Sequence, residues 1–103
     1  MKKLAIITLA LLIGLNVFSA PGNGNEFVLV IDAGHGGKDP GAVNGKNQEK
    51  TINLAVALKM GELIEKKCSN VRVIYTRKTD VFVELYRRAE IANEADADMF
   101  ISI

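Results

Sequence analysis

Phe27-Val28-Leu29-Val30-Ile31-Asp32-Ala33-Gly34-His35-Gly36-Gly37-Lys38-Asp39-Pro40-Gly41 is an unbroken apolar run that passes directly into a glycine-rich loop. The run is rich in β-branched residues and lacks polar alternation. That pattern suits a strand buried on both faces, as in a parallel sheet. Pro40-Gly41 marks a turn, and residues 42–46 read as continuing loop. In open α/β sheets, ligand sites form beyond the carboxyl ends of strands, where this loop begins. Two phosphate-binding readings fail on residue type. A Walker loop would need Gly at the position of Asp32 and Ser or Thr at that of Asp39. A dinucleotide loop finds Gly34 and Gly36 but meets Asp39 at its third glycine, where a carboxylate would repel pyrophosphate.

Outward from the loop, Asn47 is a candidate cap for a helix starting near Gln48. Residues 50–67 hold no proline and many good helix formers. Ile52, Ala55, Val56, Leu63 and Ile64 share one predicted face, with Leu54 and Leu58 on the other side, so cover is expected on more than one face. Ser69-Asn70 breaks the pattern. Val71, Val73 and Tyr75 alternate with Arg72, Ile74 and Thr76, which predicts a second strand. Residues 76–80 are polar and loop-like. A second helix fits residues 82–93, with Phe82, Leu85, Ala89 and Ala92 on one face. Residues 99–103 predict a third strand. The order strand-helix-strand-helix-strand implies an α/β fold with a mostly parallel sheet and flanking helices. The sheet is expected to be incomplete at the C-terminus, because no helix follows the last strand.

Toward the N-terminus the chain changes character. Residues 1–20 read MKKLAIITLALLIGLNVFSA, with Lys2 and Lys3 ahead of about a dozen apolar residues. That is the length of a signal-peptide core and short of the roughly 20 residues of a membrane span. Residues 1–20 are therefore expected to be an export signal, residues 21–26 a linker and residues 27–103 a domain segment with no stable membrane span of its own. The 103 residues are 49% hydrophobic and 24% charged, the balance of one small globular domain. Lys+Arg 13 against Asp+Glu 12 gives a net charge of +1, which falls to −1 without Lys2 and Lys3. That near-neutrality argues against a nucleic-acid partner. One cysteine excludes an internal disulfide, and Cys68 is expected to pack beside Val71 as a small apolar residue. One histidine excludes a multi-histidine metal site built within these residues.

His35, held between glycines at a strand end, is a candidate imidazole ligand. A loop histidine bonded only to backbone is the commoner case. Glu49 opens the first predicted helix. A carboxylate there is favoured by the helix dipole alone, yet from that turn it can also point back toward the loop. Imidazole nitrogen and carboxylate oxygen both suit zinc. Asp32 is expected to orient the loop through a bond to His35. Arg77 and Arg88 are expected in structural ion pairs with Asp80 or Asp32. Lys38 and Asp39 border the cleft or are simply solvated.

Residues 30–42 resemble the opening of the zinc-dependent N-acetylmuramoyl-L-alanine amidases, the bacterial cell-wall amidases of the amidase-3 type. Further along, Glu49 and Asn53-Leu54-Ala55 are similar to that family's glutamate and following helix. Residues 73–76, with Arg77 and Asp80, resemble its second strand and Thr-Arg-x-x-Asp stretch. Leu85, Arg88, Ala92 and Asn93 match its Leu-x-x-Arg-x-x-x-Ala-Asn helix. Phe100-Ile101-Ser102-Ile103 is similar to the strand that leads to its second histidine. The resemblance covers about residues 27–103.

It implies a peptidoglycan hydrolase that cuts the amide between N-acetylmuramic acid and L-alanine of the stem peptide with zinc-activated water. By position, His35 and Glu49 would be zinc ligands. The family's third ligand is a histidine one residue past Ile103, and its catalytic glutamate lies later still. Residues 1–103 alone are therefore expected to be an inactive fragment, since a catalytic zinc normally has three protein ligands and a base to move its water's proton. The resemblance also implies that residues 27–103 are the N-terminal part of a zinc amidase catalytic domain, with peptidoglycan as the partner and a periplasmic or cell-wall location. A non-catalytic wall-binding module and a zinc-free anion-binding domain are the competing readings.

Overall fold

A computed structural model describes residues 26–103. The expected export segment, and all of the expected linker but Glu26, lie outside the described residues. The elements are β1 (Phe27–Asp32), β2 (Val43–Asn44), β3 (Asn47–Gln48), α1 (Glu49–Lys67), β4 (Val71–Tyr75), α2 (Leu85–Glu94) and β5 (Met99–Ser102). β1, β4 and β5 form a parallel sheet in the order β4-β1-β5. This is the expected α/β architecture, with the apolar run of β1 as its central strand. Five of its six residues are buried, because a neighbour on each side and cover above and below leave no solvent face.

The pleat divides labour between the faces of the sheet. Leu29, Ile31 and Ala33 cluster with Ala57 of α1, and Leu54, Met60, Ile64, Val73, Tyr75 and Ile101 pack against them. Even-numbered Asp32 points the other way, where Arg88 of α2 meets it. After β1 the chain crosses to one edge, β4, and then to the opposite edge, β5. The carboxyl end of β1 therefore lies where neighbouring connections part, the place such sheets reserve for ligands.

Residues 43–48, expected as plain loop up to residue 46 and as the start of a helix beyond it, form a small antiparallel hairpin of β2 and β3. Gly45 turns it at φ 62°, the left-handed conformation that two-residue hairpin turns require. Asn47 is consequently a strand residue and does not cap α1. Gln48 holds the cap position without a side-chain bond. The loop satisfies the helix's first donors instead: Glu49 N–H donates to the Ala42 carbonyl at 2.9 Å and Lys50 N–H to the Pro40 carbonyl at 3.0 Å.

The buried stripe of α1 is Asn53, Ala57 and Gly61, not the larger apolar face expected, of which Ile64 alone packs on the core. Ile52 is 55% exposed. Small residues at four-residue spacing win because they let the helix backbone approach the sheet. Gly61 receives the Tyr75 ring, and a β-carbon there would collide with the Tyr75 hydroxyl. α2 starts at Leu85, after Phe82, and turns Arg88 inward while Leu85 stays 84% exposed. Cys68 is exposed at the end of α1 and does not pack in the core.

Candidate metal centre

His35 stands just past the end of β1 with φ 63°. Left-handed backbone is uncommon for a residue with a side chain, and such outliers gather at functional sites. The conformation is held from both sides. Gly36 and Asp39 exchange backbone bonds of 2.8 and 3.0 Å, closing a tight turn directly after it. Arg88 donates to the His35 carbonyl at 2.9 Å.

The imidazole lies between two carboxylates. Asp39 Oδ2 is 2.8 Å from Nδ1, and Glu49 Oε2 is 3.3 Å from Nε2. Each carboxylate also has its other oxygen tied down. Gly41 N–H donates to Asp39 Oδ1 at 3.1 Å, and Ala42 N–H to Glu49 Oε1 at 2.9 Å. Gly41 occupies the gap between the two ligand candidates. A β-carbon there would stand 2.7 Å from Glu49 Oε1 and 2.8 Å from His35 Cδ2. The loop can pass this close to both side chains only because residue 41 is glycine.

The electrostatics follow the contacts. The bond to Asp39 raises the His35 pKa, with Glu49 adding to it. The bond to His35 lowers the Asp39 pKa, helped by the Gly41 amide. The Ala42 amide lowers that of Glu49, again with His35 contributing. Both carboxylates are held as anions at neutral pH.

Of the sequence candidates, His35 and Glu49 come together across fourteen residues of chain. Asp32 does not reach the histidine. Its carboxylate is buried and accepts from Thr76 Oγ1 at 2.8 Å, Ser102 Oγ at 2.7 Å and Arg88 Nη1 at 2.8 Å. Burial pushes its pKa up, but those bonds outweigh burial and hold it low. Asp39 takes the orienting role expected of Asp32. Its position four residues past His35 is not diagnostic in a loop, so spacing alone offers no signal for it. Arg88 forms the expected pair with Asp32. Arg77 instead donates only to carbonyls, and Asp80 pairs with Lys50 at 2.9 Å.

Asp39 is on the far side of the ring from Glu49. Among the described residues, no three His, Cys, Asp or Glu side chains converge on one point. The centre offers two donors, Nε2 of His35 and the Glu49 carboxylate. Their 3.3 Å separation fits two ligands of one tetrahedral ion, since metal bonds of about 2.0–2.1 Å at tetrahedral angles place donors roughly 3.3 Å apart.

Fold and site together define a parallel α/β domain with a histidine–carboxylate pair at the carboxyl end of its central strand. Residues 29–103 match the family model described as N-acetylmuramoyl-L-alanine amidase, Amidase_3. The chain belongs to that family. It is 41% identical over 83 residues to the N-acetylmuramoyl-L-alanine amidase AmiC of Escherichia coli, covering 80% of this chain and 20% of that protein. It is 40% identical over 75 residues to the sporulation-specific N-acetylmuramoyl-L-alanine amidase of Bacillus subtilis, covering 73% of this chain and 29% of that protein. Among solved structures, the catalytic domain of the amidase CwlV from Bacillus (Paenibacillus) polymyxa var. colistinus superposes with a TM-score of 0.70 at 47% identity, over 73% of this chain and 42% of that one. The chain thus spans less than a third of these two curated relatives and under half of the solved domain.

Proposed function

We propose that this chain is part of an exported, zinc-dependent peptidoglycan hydrolase. The bond cut is the amide between N-acetylmuramic acid and L-alanine of the stem peptide. Family membership supports the substrate class. The observation that carries the metal is the 3.3 Å approach of His35 Nε2 to Glu49 Oε2, beside a loop that passes close to both side chains because residue 41 is glycine.

Zinc at this position would lower the pKa of a water and polarise the substrate carbonyl. The chain's own residues prepare that site. Asp39 accepts the Nδ1 proton of His35, which fixes the tautomer that presents Nε2 as a lone-pair donor. Glu49 brings a negative charge, held ionised by the Ala42 amide. The left-handed turn at His35 aims the ring at the helix rather than at solvent, and the side chain is 32% exposed. Among the described residues, no helix is long and apolar enough to cross a membrane.

Residues 26–103 place two donors at the centre. As a separate piece they would hold zinc weakly and leave proton transfer unassisted. The reading is tested with the complete chain and a defined muramoyl-peptide. Release of the L-alanine amine, its loss on chelation and its return with zinc are expected. Binding of cell wall without cleavage by zinc-loaded protein would point to a wall-binding module. Cleavage that survives thorough chelation would remove the metal from the mechanism.

A further inference from the structure

Arg77 lies at the seam between the two segments that carry His35 and Glu49. It is 4% exposed, and four of its five N–H donors are spent on backbone carbonyls. Nε donates to Ala33 at 3.0 Å. Nη2 donates to Gly34 at 2.8 Å and to Lys50 at 3.0 Å. Nη1 donates to Thr79 at 3.0 Å. Three stretches of chain meet on one guanidinium: the exit from β1, the first turn of α1 and the connection after β4.

Two of these acceptors are adjacent in sequence to the proposed ligands. Gly34 immediately precedes His35, and Lys50 immediately follows Glu49. One nitrogen, Nη2, bridges both. The loop closes over the guanidinium only because residue 36 is glycine. A β-carbon there would strike the Val81 carbonyl and come within 2.8 Å of Arg77 Nε.

The charge is not matched in the usual way. Among the described residues, no carboxylate lies within ion-pair distance of Arg77, whereas the neighbouring Arg88 pairs with Asp32 at 2.8 Å. Burying an unpaired charge is costly, and bonds to neutral carbonyls offset only part of that cost. Stability alone is a poor reason to keep it. Geometry is a better one, because a planar fork fixes several acceptors at once and an ammonium does not.

We propose that Arg77 is a positioning residue: it sets the distance between His35 and Glu49 by clamping the backbone beside each. The proposal rests on reading those two side chains as zinc ligands. In the complete chain, Arg77→Lys keeps the charge and loses the fork. Zinc affinity, measured with zinc alone against a competing chelator, is expected to fall about 10–100-fold, as for other groups that orient ligands. The comparison is made at a temperature where circular dichroism shows the variant folded. With substrate, kcat is expected to fall while KM holds. A variant of lower melting temperature with wild-type zinc affinity and kcat would overturn the clamp and leave Arg77 a structural residue.

A measurement on the unsubstituted protein gives an independent answer if the variant does not fold. Coupling between two sites is reciprocal, so zinc should tighten the clamp. Exchange of the Arg77 Nε proton with solvent, followed by NMR, is expected to slow at least several-fold when zinc is added. Unchanged exchange in zinc-loaded protein would overturn the proposal. Failure of the wild-type chain to take up zinc would instead refute the underlying ligand assignment.

Discussion

Gly41 shows how much of the proposed centre depends on a hydrogen atom standing where a methyl group would be. Its φ of 70° is left-handed, and a β-carbon there would crowd both His35 and Glu49. Gly41→Ala is therefore expected to do two separable things. Strain at positive φ should lower stability by about 1 kcal/mol. The methyl group should also push the two donors apart and weaken zinc binding at least tenfold. Denaturation without metal reads the first effect, and chelator competition reads the second. Stability loss with unchanged zinc affinity would mean that the close packing at Gly41 does not set the donor geometry. His35 itself was legible as a candidate because glycines flank it at a strand end. Its partner Asp39 was not, since a bond across a loop depends on backbone angles that residue spacing does not encode.

At the scale of elements, hydrophobic runs and breakers located the three parallel strands and α1. They located facing less well. The outer side of α1 carries Ile52, Val56 and Leu63, so apolar periodicity named a face that is exposed among the described residues. Closeness of approach, set by Ala57 and Gly61, decided which side meets the sheet. The β2–β3 hairpin escaped because each strand has only two residues, too few for alternation to register. Gly61→Ala tests the close-approach account. Its β-carbon would collide with the Tyr75 hydroxyl and crowd the ring, so α1 must lift or Tyr75 must move. A loss of about 1–3 kcal/mol is expected in urea denaturation, with partial recovery in the double variant Gly61→Ala/Tyr75→Phe. An unchanged or raised stability would mean that the helix does not need this contact.

Across the whole molecule, Asp32 joins the sheet to both flanks of the site. It sits on β1, accepts from Thr76 after β4, from Ser102 on β5 and from Arg88 on α2. Arg88 in turn holds the carbonyls of Ala33 and His35. Substituting Asp32→Asn leaves a buried arginine without its counter-charge, and breaking such a pair costs about 3–5 kcal/mol. The pH dependence has a defined sign. The folded pKa of Asp32 is depressed, so its contribution is fully present above the unfolded value of about 3.9 and is lost as pH falls through the lower folded value. Urea denaturation of the metal-free complete chain is expected to show the gap between wild type and Asp32→Asn narrowing on the acid side. A gap independent of pH would mean that folding leaves the Asp32 pKa unshifted, and a gap that widens toward acid would mean that folding raises it.

Whether His35 and Glu49 hold one zinc ion is read by zinc affinity, measured by chelator competition on the complete chain for wild type, His35→Ala and Glu49→Ala. One tightly held zinc per wild-type chain is expected, with at least a hundredfold weaker binding in each folded variant. Wild-type affinity in either variant, or no zinc bound by the wild type, would contradict that ligand assignment.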